Sequence, residues 1–218
     1  MILTRKRVVV FLSGGGSNMM ALLEASKAAD FPAEIVAVIS DKASAGGLAK
    51  ASAEGIATFA FERKSYAGKA EHEAAVLAAL ADLKPDVICL AGYMRLLSAD
   101  FIRAYQGRII NIHPSLLPLF PGLHTHDRAI QAGMRVAGCT VHFVTEGMDE
   151  GPIIAQAVVP VLPGDTSDSL AARVLTVEHR IYPTALQLLS DGTVAMAADG
   201  TVSRSGSASD PLATLISA

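Results

Sequence analysis

Two polar side chains close an otherwise apolar run, "RIINIHP" at residues 108–114. Asn111 and His113 lie two positions apart, so in a strand both would project to the same side. An Asn amide can donate to a developing oxyanion, and a neighbouring His can act as an acid or an electrostatic partner. Asp149 follows downstream in the turn "GMDEGP", where flanking glycines let the backbone bend. These residue types fit acyl-type transfer to an amine without a Ser or Cys nucleophile.

Each of these residues also has a purely structural interpretation. A His beside a strand is often a hydrogen-bonded structural residue, and an Asp in a turn often serves only the turn. A metal site is a further alternative, because four histidines occur in this part of the chain: His113, His124, His126 and His142. Their spacing matches no zinc pattern, and no Cys or carboxylate lies at a ligand interval. We therefore expect no metal.

A glycine loop, "SGGGSN" at residues 13–18, lies between the first predicted strand and the first predicted helix. Backbone N–H groups and the helix dipole make an anion site there, and Ser17 and Asn18 can cap the helix and touch a phosphate. A dinucleotide fingerprint would need a third glycine where Met19 stands, yet Asp41 occupies the place of a ribose-binding acid. A nicotinamide enzyme and a tight turn without ligand both remain alternatives. A Walker loop is excluded, because no Lys follows the glycines.

One carboxylate stands on an apolar face. The segment 165–192 begins with capping residues and predicts a long helix that Pro183 should end or bend. Glu178 falls on or beside its apolar stripe of Leu170, Val174, Val177, Ile181 and Ala185. A buried carboxylate needs a partner. Either it pairs with Arg173 or reaches solvent, or it contacts a ligand amine or hydroxyl.

Strands and helices alternate along most of the chain, which indicates βαβ units. The sequence therefore predicts an α/β fold with an open, doubly wound, mostly parallel sheet and an antiparallel C-terminal portion. Prolines after His113 should fix the loop that follows it. Strands are expected at 7–12, 34–40, 57–61, 86–92, 108–112, 137–144 and 152–161, and helices at 18–29, 45–54, 68–83, 98–106 and 165–192.

Composition narrows the class of protein. The 218 residues are 51 % hydrophobic and 18 % charged with a net charge of −3, so a large core is available and a nucleic-acid partner is disfavoured. Cys89 and Cys139 form no paired framework, and the apolar run 8–12 is too short for a signal peptide or a membrane span. We expect a cytoplasmic protein of one domain over 1–190. Residues 191–218 should add a small hairpin around Asp199-Gly200 and a loose tail.

The chain resembles the phosphoribosylglycinamide formyltransferase family, within the formyltransferase superfamily. The resemblance covers roughly residues 6 to 190 and rests on "SGGGSN", "LAGYMRLLS", "NIHPSLLPLFPGLHTH", "GCTVHFVTEGMDEGPII" and "VEHRIYP". It implies a Rossmann-like fold with a nucleotide-phosphate half near 1–105 and a folate and catalytic half near 106–190. It also implies transfer of formyl from 10-formyltetrahydrofolate to the amine of glycinamide ribonucleotide, in purine synthesis, by a monomer or homodimer without nucleic acid or membrane.

The resemblance assigns roles to particular residues. Asn111, His113 and Asp149 match a catalytic trio, in which the first two stabilise the oxyanion and the third orients groups and moves protons. Glu178 matches a residue that contacts the nucleotide substrate. The residues that match the phosphate loop are Gly15, Gly16, Ser17 and Asn18, and those that match the folate pocket are Lys69, Met94, Arg95, Leu96, Leu97 and Val144.

Related activities remain alternatives. Formyltetrahydrofolate deformylase shares the Asn, His and Asp set, but would carry an N-terminal regulatory domain before the first strand. Methionyl-tRNA formyltransferase would carry a C-terminal domain and more positive charge. A nicotinamide oxidoreductase gives no reason for the "NIHPS" segment, and a non-catalytic nucleotide-binding module would not need the three polar residues together.

Overall fold

The structure is a computed structural model that describes residues 5–205. The tail predicted to be loose therefore lies, from residue 206 onward, outside the described residues. The N-terminal four residues lie outside them as well.

Seven strands form one sheet in the order β3-β2-β1-β4-β5-β6-β7. The first five are mutually parallel, whereas β6 runs antiparallel to both β5 and β7. This arrangement confirms the predicted open, mostly parallel sheet with an antiparallel C-terminal portion. The strands are β1 (Lys6–Leu12), β2 (Ala33–Ser40), β3 (Ala57–Ala60), β4 (Val87–Leu90), β5 (Ile109–His113), β6 (Val136–Phe143) and β7 (Ile153–Pro160).

The helices alternate with the parallel strands, as the sequence predicts. They are α1 (Ser17–Ser26), α2 (Gly46–Ala53), α3 (Lys69–Leu83), α4 (Ala99–Ala104), α5 (Thr125–Gln131) and α6 (Ser167–Ser190), with a 3₁₀ turn at Arg63–Ser65. The sequence did not predict α5. This helix has only seven residues, and its N-cap, His124, has a left-handed backbone (φ 57°) and makes no side-chain capping hydrogen bond.

The core lies on both faces of the sheet. Residues 8–12 of β1 are completely buried, because helices cover the strand on each side. Tyr182 of α6 is also completely buried, and its hydroxyl lies 3.0 Å from the carbonyl oxygen of Leu90 and 3.2 Å from that of Ile110. The longest helix is thereby attached to the two central strands that lead into the polar loops.

The helix α6 begins as predicted but does not end at Pro183. Its first turn has a capping box between Thr166 and Ser169, and Arg173 donates two hydrogen bonds to Asp165 at 2.7 and 2.9 Å. The helix continues through Pro183 to Ser190. Proline removes one helical hydrogen bond, but burial of the flanking apolar side chains holds the helix in place.

A C-terminal hairpin follows α6, as predicted. It consists of β8 (Val194–Met196) and β9 (Val202–Arg204), and Arg204 donates to the carbonyl oxygen of Ile154 in the edge strand β7. Within residues 5–205, no helix combines the length and apolar character that crossing a membrane requires.

Candidate active site

The glycine loop ends on a residue that favours glycine. Gly16 is the N-cap of α1 in the left-handed region (φ 73°), and no side chain caps this helix. The expectation that Ser17 and Asn18 cap it was therefore wrong: both residues already lie within the first turn. Because no side-chain acceptor is engaged there, the first N–H groups of α1 remain suited to an anion.

The loop is held by the start of α2. Gly47 N–H donates to the carbonyl oxygen of Gly14 at 3.0 Å, and the Lys50 ammonium donates to that of Gly15 at 2.9 Å. A Cβ on Gly16 would lie 2.7 Å from Gly47 Cα, so the two backbones touch. Lys50 was not singled out from the sequence. The sequence shows only that Lys50 is a basic residue on the helix after β2, and its spacing from the glycine loop does not predict a contact.

Glu178 is buried against α1. It is 7 % exposed, and its Oε2 accepts a hydrogen bond of 2.7 Å from Asn18 Nδ2. Burial raises the pKa of Glu178, and the bond from Asn18 opposes that shift. The alternative pairing with Arg173 is wrong, because Arg173 is bound to Asp165 at the start of α6.

The antiparallel pairing of β5 with β6 places Asn111 opposite His142. His142 Nδ1 lies 2.8 Å from the Phe143 carbonyl oxygen, which can only accept, so Nδ1 carries the proton and Nε2 is an acceptor. Asn111 Nδ2 donates to that Nε2 at 3.2 Å. Burial lowers the pKa of His142, which favours this neutral form. One Nδ2 proton of Asn111 is thus fixed, and the other is available to a ligand.

His113 and Asp149 are in contact. His113 Nε2 lies 3.1 Å from the Phe120 carbonyl oxygen, and its Nδ1 lies 3.4 Å from Asp149 Oδ2. The same Asp149 oxygen accepts from Gly122 N–H at 2.8 Å, and Asp149 itself has a left-handed backbone (φ 57°). Both Phe120 and Gly122 belong to the proline-containing loop after β5. That loop therefore supplies the groups that orient the pair.

A cleft of about 270 Å³ opens beside these groups. Asn111, His142 and Asp149 line it together with apolar side chains, whereas His113 is buried next to Asp149 and does not line it. Of the residues that the resemblance assigns to a folate pocket, the cleft brings together Lys69, Arg95, Leu96, Leu97 and Val144. The Met94 side chain is 63 % exposed and lies outside the lining.

Arg95 is held by Asp41. Its Nε donates to Asp41 Oδ2 at 2.7 Å, and the Asp41 side chain is 1 % exposed. The sequence offered Asp41 as a ribose-binding acid of a nicotinamide enzyme. A buried carboxylate already bound to a guanidinium is a poor acceptor for a ribose, so the structure gives that alternative no support.

The histidines do not assemble into a cation site. Across residues 5–205, no group of three or more His, Cys, Asp or Glu side chains is arranged to hold a metal ion. His124 is exposed at the start of α5, and His126 turns its Nε2 into the protein, where it has no partner among the described residues.

The sheet and its alternating helices form a Rossmann-like α/β fold. Its carboxyl edge carries a glycine loop at a helix N-terminus, and a cleft beside it is lined by an Asn and an Asp. These features are typical of a group-transfer enzyme. The formyl transferase family model matches residues 6–186. The chain belongs to the formyl transferase family.

Individual relatives agree with this membership. The chain is 44 % identical over 189 residues to the Escherichia coli phosphoribosylglycinamide formyltransferase, covering 87 % of this chain and 89 % of that one. It is 48 % identical to the Drosophila melanogaster trifunctional purine biosynthetic protein adenosine-3 over 87 % of its own length, but spans only 14 % of that longer protein. The crystal structure of the Brucella melitensis phosphoribosylglycinamide formyltransferase superposes with a TM-score of 0.83 at 71 % identity, covering 85 % of this chain and 96 % of that one.

Proposed function

We propose that this protein transfers the formyl group of 10-formyltetrahydrofolate to the amine of glycinamide ribonucleotide, a step of purine synthesis. The observation that carries the proposal is the meeting of Asn111 and Asp149 at one cleft, with an anion-binding helix N-terminus at the same sheet edge. The names of the relatives supply the formyl group and its acceptor, the sequence resemblance supplies 10-formyltetrahydrofolate as the donor, and the geometry supplies residues suited to the chemistry.

Asn111 is proposed to stabilise the developing charge. When the amine attacks the formyl carbon, the carbonyl oxygen becomes an oxyanion, and a preorganised N–H lowers the energy of that state. The His142 acceptor holds the Asn111 amide in one orientation, so its free Nδ2 proton requires little rearrangement before it binds the oxyanion.

His113 and Asp149 are proposed to handle the proton. A carbonyl can only accept, so the contact with Phe120 requires a proton on His113 Nε2. The other ring nitrogen, Nδ1, faces Asp149 Oδ2 at 3.4 Å. The attacking amine loses one proton, and N10 of the folate gains one as its bond to the formyl carbon breaks. Asp149 lines the cleft and is the member of the pair positioned to exchange that proton, directly or through a water.

The two ends of the substrates are proposed to bind on either side of this centre. The phosphate binds to the N–H groups at residues 15–18, near the Lys50 ammonium, and the ribose hydroxyls bind to Glu178. The folate ring binds in the cleft, whose wall is formed largely by Leu90, Leu97, Ile102 and Val144. Lys69 and Arg95 also line the cleft, with the guanidinium of Arg95 held by Asp41. A volume near the lower end of typical small-molecule sites suits a flat bicyclic ring.

The remaining expectations belong to the same proposal. We infer a cytoplasmic enzyme, monomeric or homodimeric, whose partners are small molecules, since a net charge of −3 disfavours a nucleic-acid partner. The nucleotide half near 1–105 and the folate half near 106–190 stay a prediction, and both contribute side chains to the cleft.

The test is to mix purified protein with 10-formyltetrahydrofolate, with and without glycinamide ribonucleotide, and to follow loss of formyl-folate and appearance of formylated ribonucleotide. Loss that requires the ribonucleotide and matches product is expected. Loss that ignores the ribonucleotide would mean a deformylase. No loss in either mixture, with binding of NAD instead, would overturn the proposal.

A further inference from the structure

The Asn18 side chain has an unusual environment for a residue beside a glycine loop. Its backbone lies in the first turn of α1, but its amide turns inward and donates to Glu178, 160 residues further along the chain. The Asn18 side-chain oxygen Oδ1 is buried and has no partner among the described residues. Burying an unpaired carbonyl is unfavourable, so this orientation is not explained by the needs of Asn18 alone.

Glu178 is as unusual as its partner. Among the described residues no ion pair involves it, because the nearby Arg173 of the same helix is bound to Asp165. The charged or titratable group that faces it from another packed element is Cys139 of β6, a buried thiol whose own pKa rises partly because of Glu178. A buried carboxylate without a cation tends to take up a proton. The single contact that opposes this tendency is the Asn18 N–H.

We propose that Asn18 is a positioning residue that acts through Glu178: its amide holds one carboxylate oxygen of Glu178, which leaves the other oxygen to accept from the hydroxyls of the ribonucleotide. This inference rests on the proposed function. It assigns the Asn18 side chain to the sugar end of the substrate, whereas the sequence resemblance assigned Asn18 to the phosphate. Only the backbone of Asn18 remains suited to that second role.

The chemistry predicts a distinctive pH dependence. An ionised carboxylate accepts at both oxygens, whereas a protonated one must use one oxygen as a donor. Without Asn18, the pKa of Glu178 should rise further, since desolvation then acts unopposed. Removal of Asn18 should therefore weaken ribonucleotide binding most at acidic pH, and the loss should shrink as rising pH ionises Glu178 again.

The experiment measures KM for glycinamide ribonucleotide and kcat across pH in the wild type, Asn18→Ala and Asn18→Leu. Leucine keeps the volume of the side chain and serves if the smaller residue destabilises α1. We expect the ratio of variant to wild-type KM to be about tenfold at the acidic end and to fall toward unity at the alkaline end, with kcat changed less than about twofold. Titration of the substrate amine is common to all proteins and cancels in the ratio.

A matched control uses Glu178→Gln, which cannot ionise. In that background, Asn18→Ala should add nothing to KM, and the ratio should not depend on pH. Constant ratios across pH in the single variants, or additive effects in the double variant, would overturn the inference. The carboxyl pKa of Glu178, measured by carbon NMR in protein without ligand, should rise in Asn18→Ala. That readout stands even if the wild type proves not to transfer formyl, so failure of this inference is distinguishable from failure of the proposed function.

Discussion

At the scale of single residues, the site depends on groups that must act at the reacting atoms. Asn111 and Asp149 line the cleft but contribute little to the core. We expect Asn111→Ala to lower kcat by about 10²- to 10³-fold, because one oxyanion donor is lost.

Asp149→Asn should lower kcat by about 10²- to 10⁴-fold, because the amide cannot take up the proton.

Steady-state kinetics check both variants, and circular dichroism checks that they fold. Glu150→Gln is a matched control, since it removes the neighbouring exposed carboxylate and should leave kcat within about twofold. Near-normal turnover in Asn111→Ala or Asp149→Asn would remove that residue from the chemical step.

His142 is the residue that the sequence named without giving it a role. Only the strand pairing shows that its Nε2 accepts from Asn111. His142→Phe keeps a ring but removes the acceptor, so the Asn111 amide can rotate. We expect kcat to fall by about tenfold, equivalent to about 1.4 kcal/mol, with little change in either KM.

The pH dependence of the wild type gives an independent check on His142. Burial lowers its pKa below 6.5, so it stays neutral near pH 7. Below the lowered pKa, Nε2 becomes a donor and repels the Asn111 N–H, and kcat should fall. A wild-type acid limb that persists unchanged in His142→Phe would show that another group causes it.

At the scale of elements, the strands and most helices could be predicted because they follow simple apolar patterns. All seven strands of the main sheet begin and end within two residues of the expected positions. The seven-residue helix α5 was missed, since it is short and has no side-chain cap. The helix α6 continues past Pro183 within the predicted range 165–192, because tertiary burial outweighs the local preference of proline to end it.

Side-chain partners were less predictable than elements, because they join residues far apart in the chain. Arg173 has an acidic partner eight residues earlier, and Glu178 finds an amide 160 residues away. Asn111 and His113 could be selected from the sequence as candidates, because they end a strand where α/β folds bind ligands, and Asp149 because it lies in a glycine-flanked turn. The Asp41–Arg95 pair and the contact of Gly47 with the glycine loop could not be predicted from the sequence, because only the folded structure brings these residues together.

The contact between the glycine loop and α2 makes a prediction at this scale. A Cβ on Gly47 would lie 2.5 Å from Leu12 Cδ2 and 3.1 Å from Gly16 Cα, so the loop or the Leu12 side chain must move. We expect Gly47→Ala to raise KM for the ribonucleotide and to lower the free energy of unfolding by about 1–3 kcal/mol.

Gly46→Ala is the matched control, because its Cβ would lie 3.9 Å from Gly15 Cα, an ordinary contact. Urea unfolding and ribonucleotide kinetics on both variants test the idea. Equal behaviour of the two alanine variants would show that the loop does not depend on its close approach to α2.

At the scale of the whole molecule, the sheet and the helices packed on it bring together side chains that are far apart in the sequence, such as Asn18 of α1 and Glu178 of α6. Helices α1 and α6 lie side by side, and β6 pairs with β5 although they are connected through α5. The site therefore depends on global folding rather than on any local segment. Conditions that weaken the fold should disturb the substrate site together with the core.

Three histidines that are wholly or partly buried predict how the stability of the whole molecule depends on pH. Burial lowers the pKa of His126, His142 and His179 in the folded protein, whereas in the unfolded chain they titrate near 6.5. Below pH 6.5 the unfolded chain therefore binds more protons, and the free energy of unfolding falls as pH falls toward the folded pKa values. Glu178 acts in the opposite direction, because its raised pKa makes the folded state take up a proton before the unfolded state does.

His126 is the best residue for testing this linkage, because its Nε2 is buried without a partner and it lies outside the cleft. Asp127 raises its pKa and His113 lowers it, but burial is the largest influence. We expect urea unfolding of the wild type to give a lower free energy at about pH 5.5 than at about pH 7.5, and a smaller difference in His126→Leu. The leucine fills the same apolar surroundings and cannot take up a proton, so the slope with pH should fall even if the absolute stability changes. If the free energy of unfolding of His126→Leu depends on pH as steeply as that of the wild type, the prediction is wrong. His126 would then take up a proton equally well in the folded and unfolded states, because contact with solvent compensates for the burial of its ring.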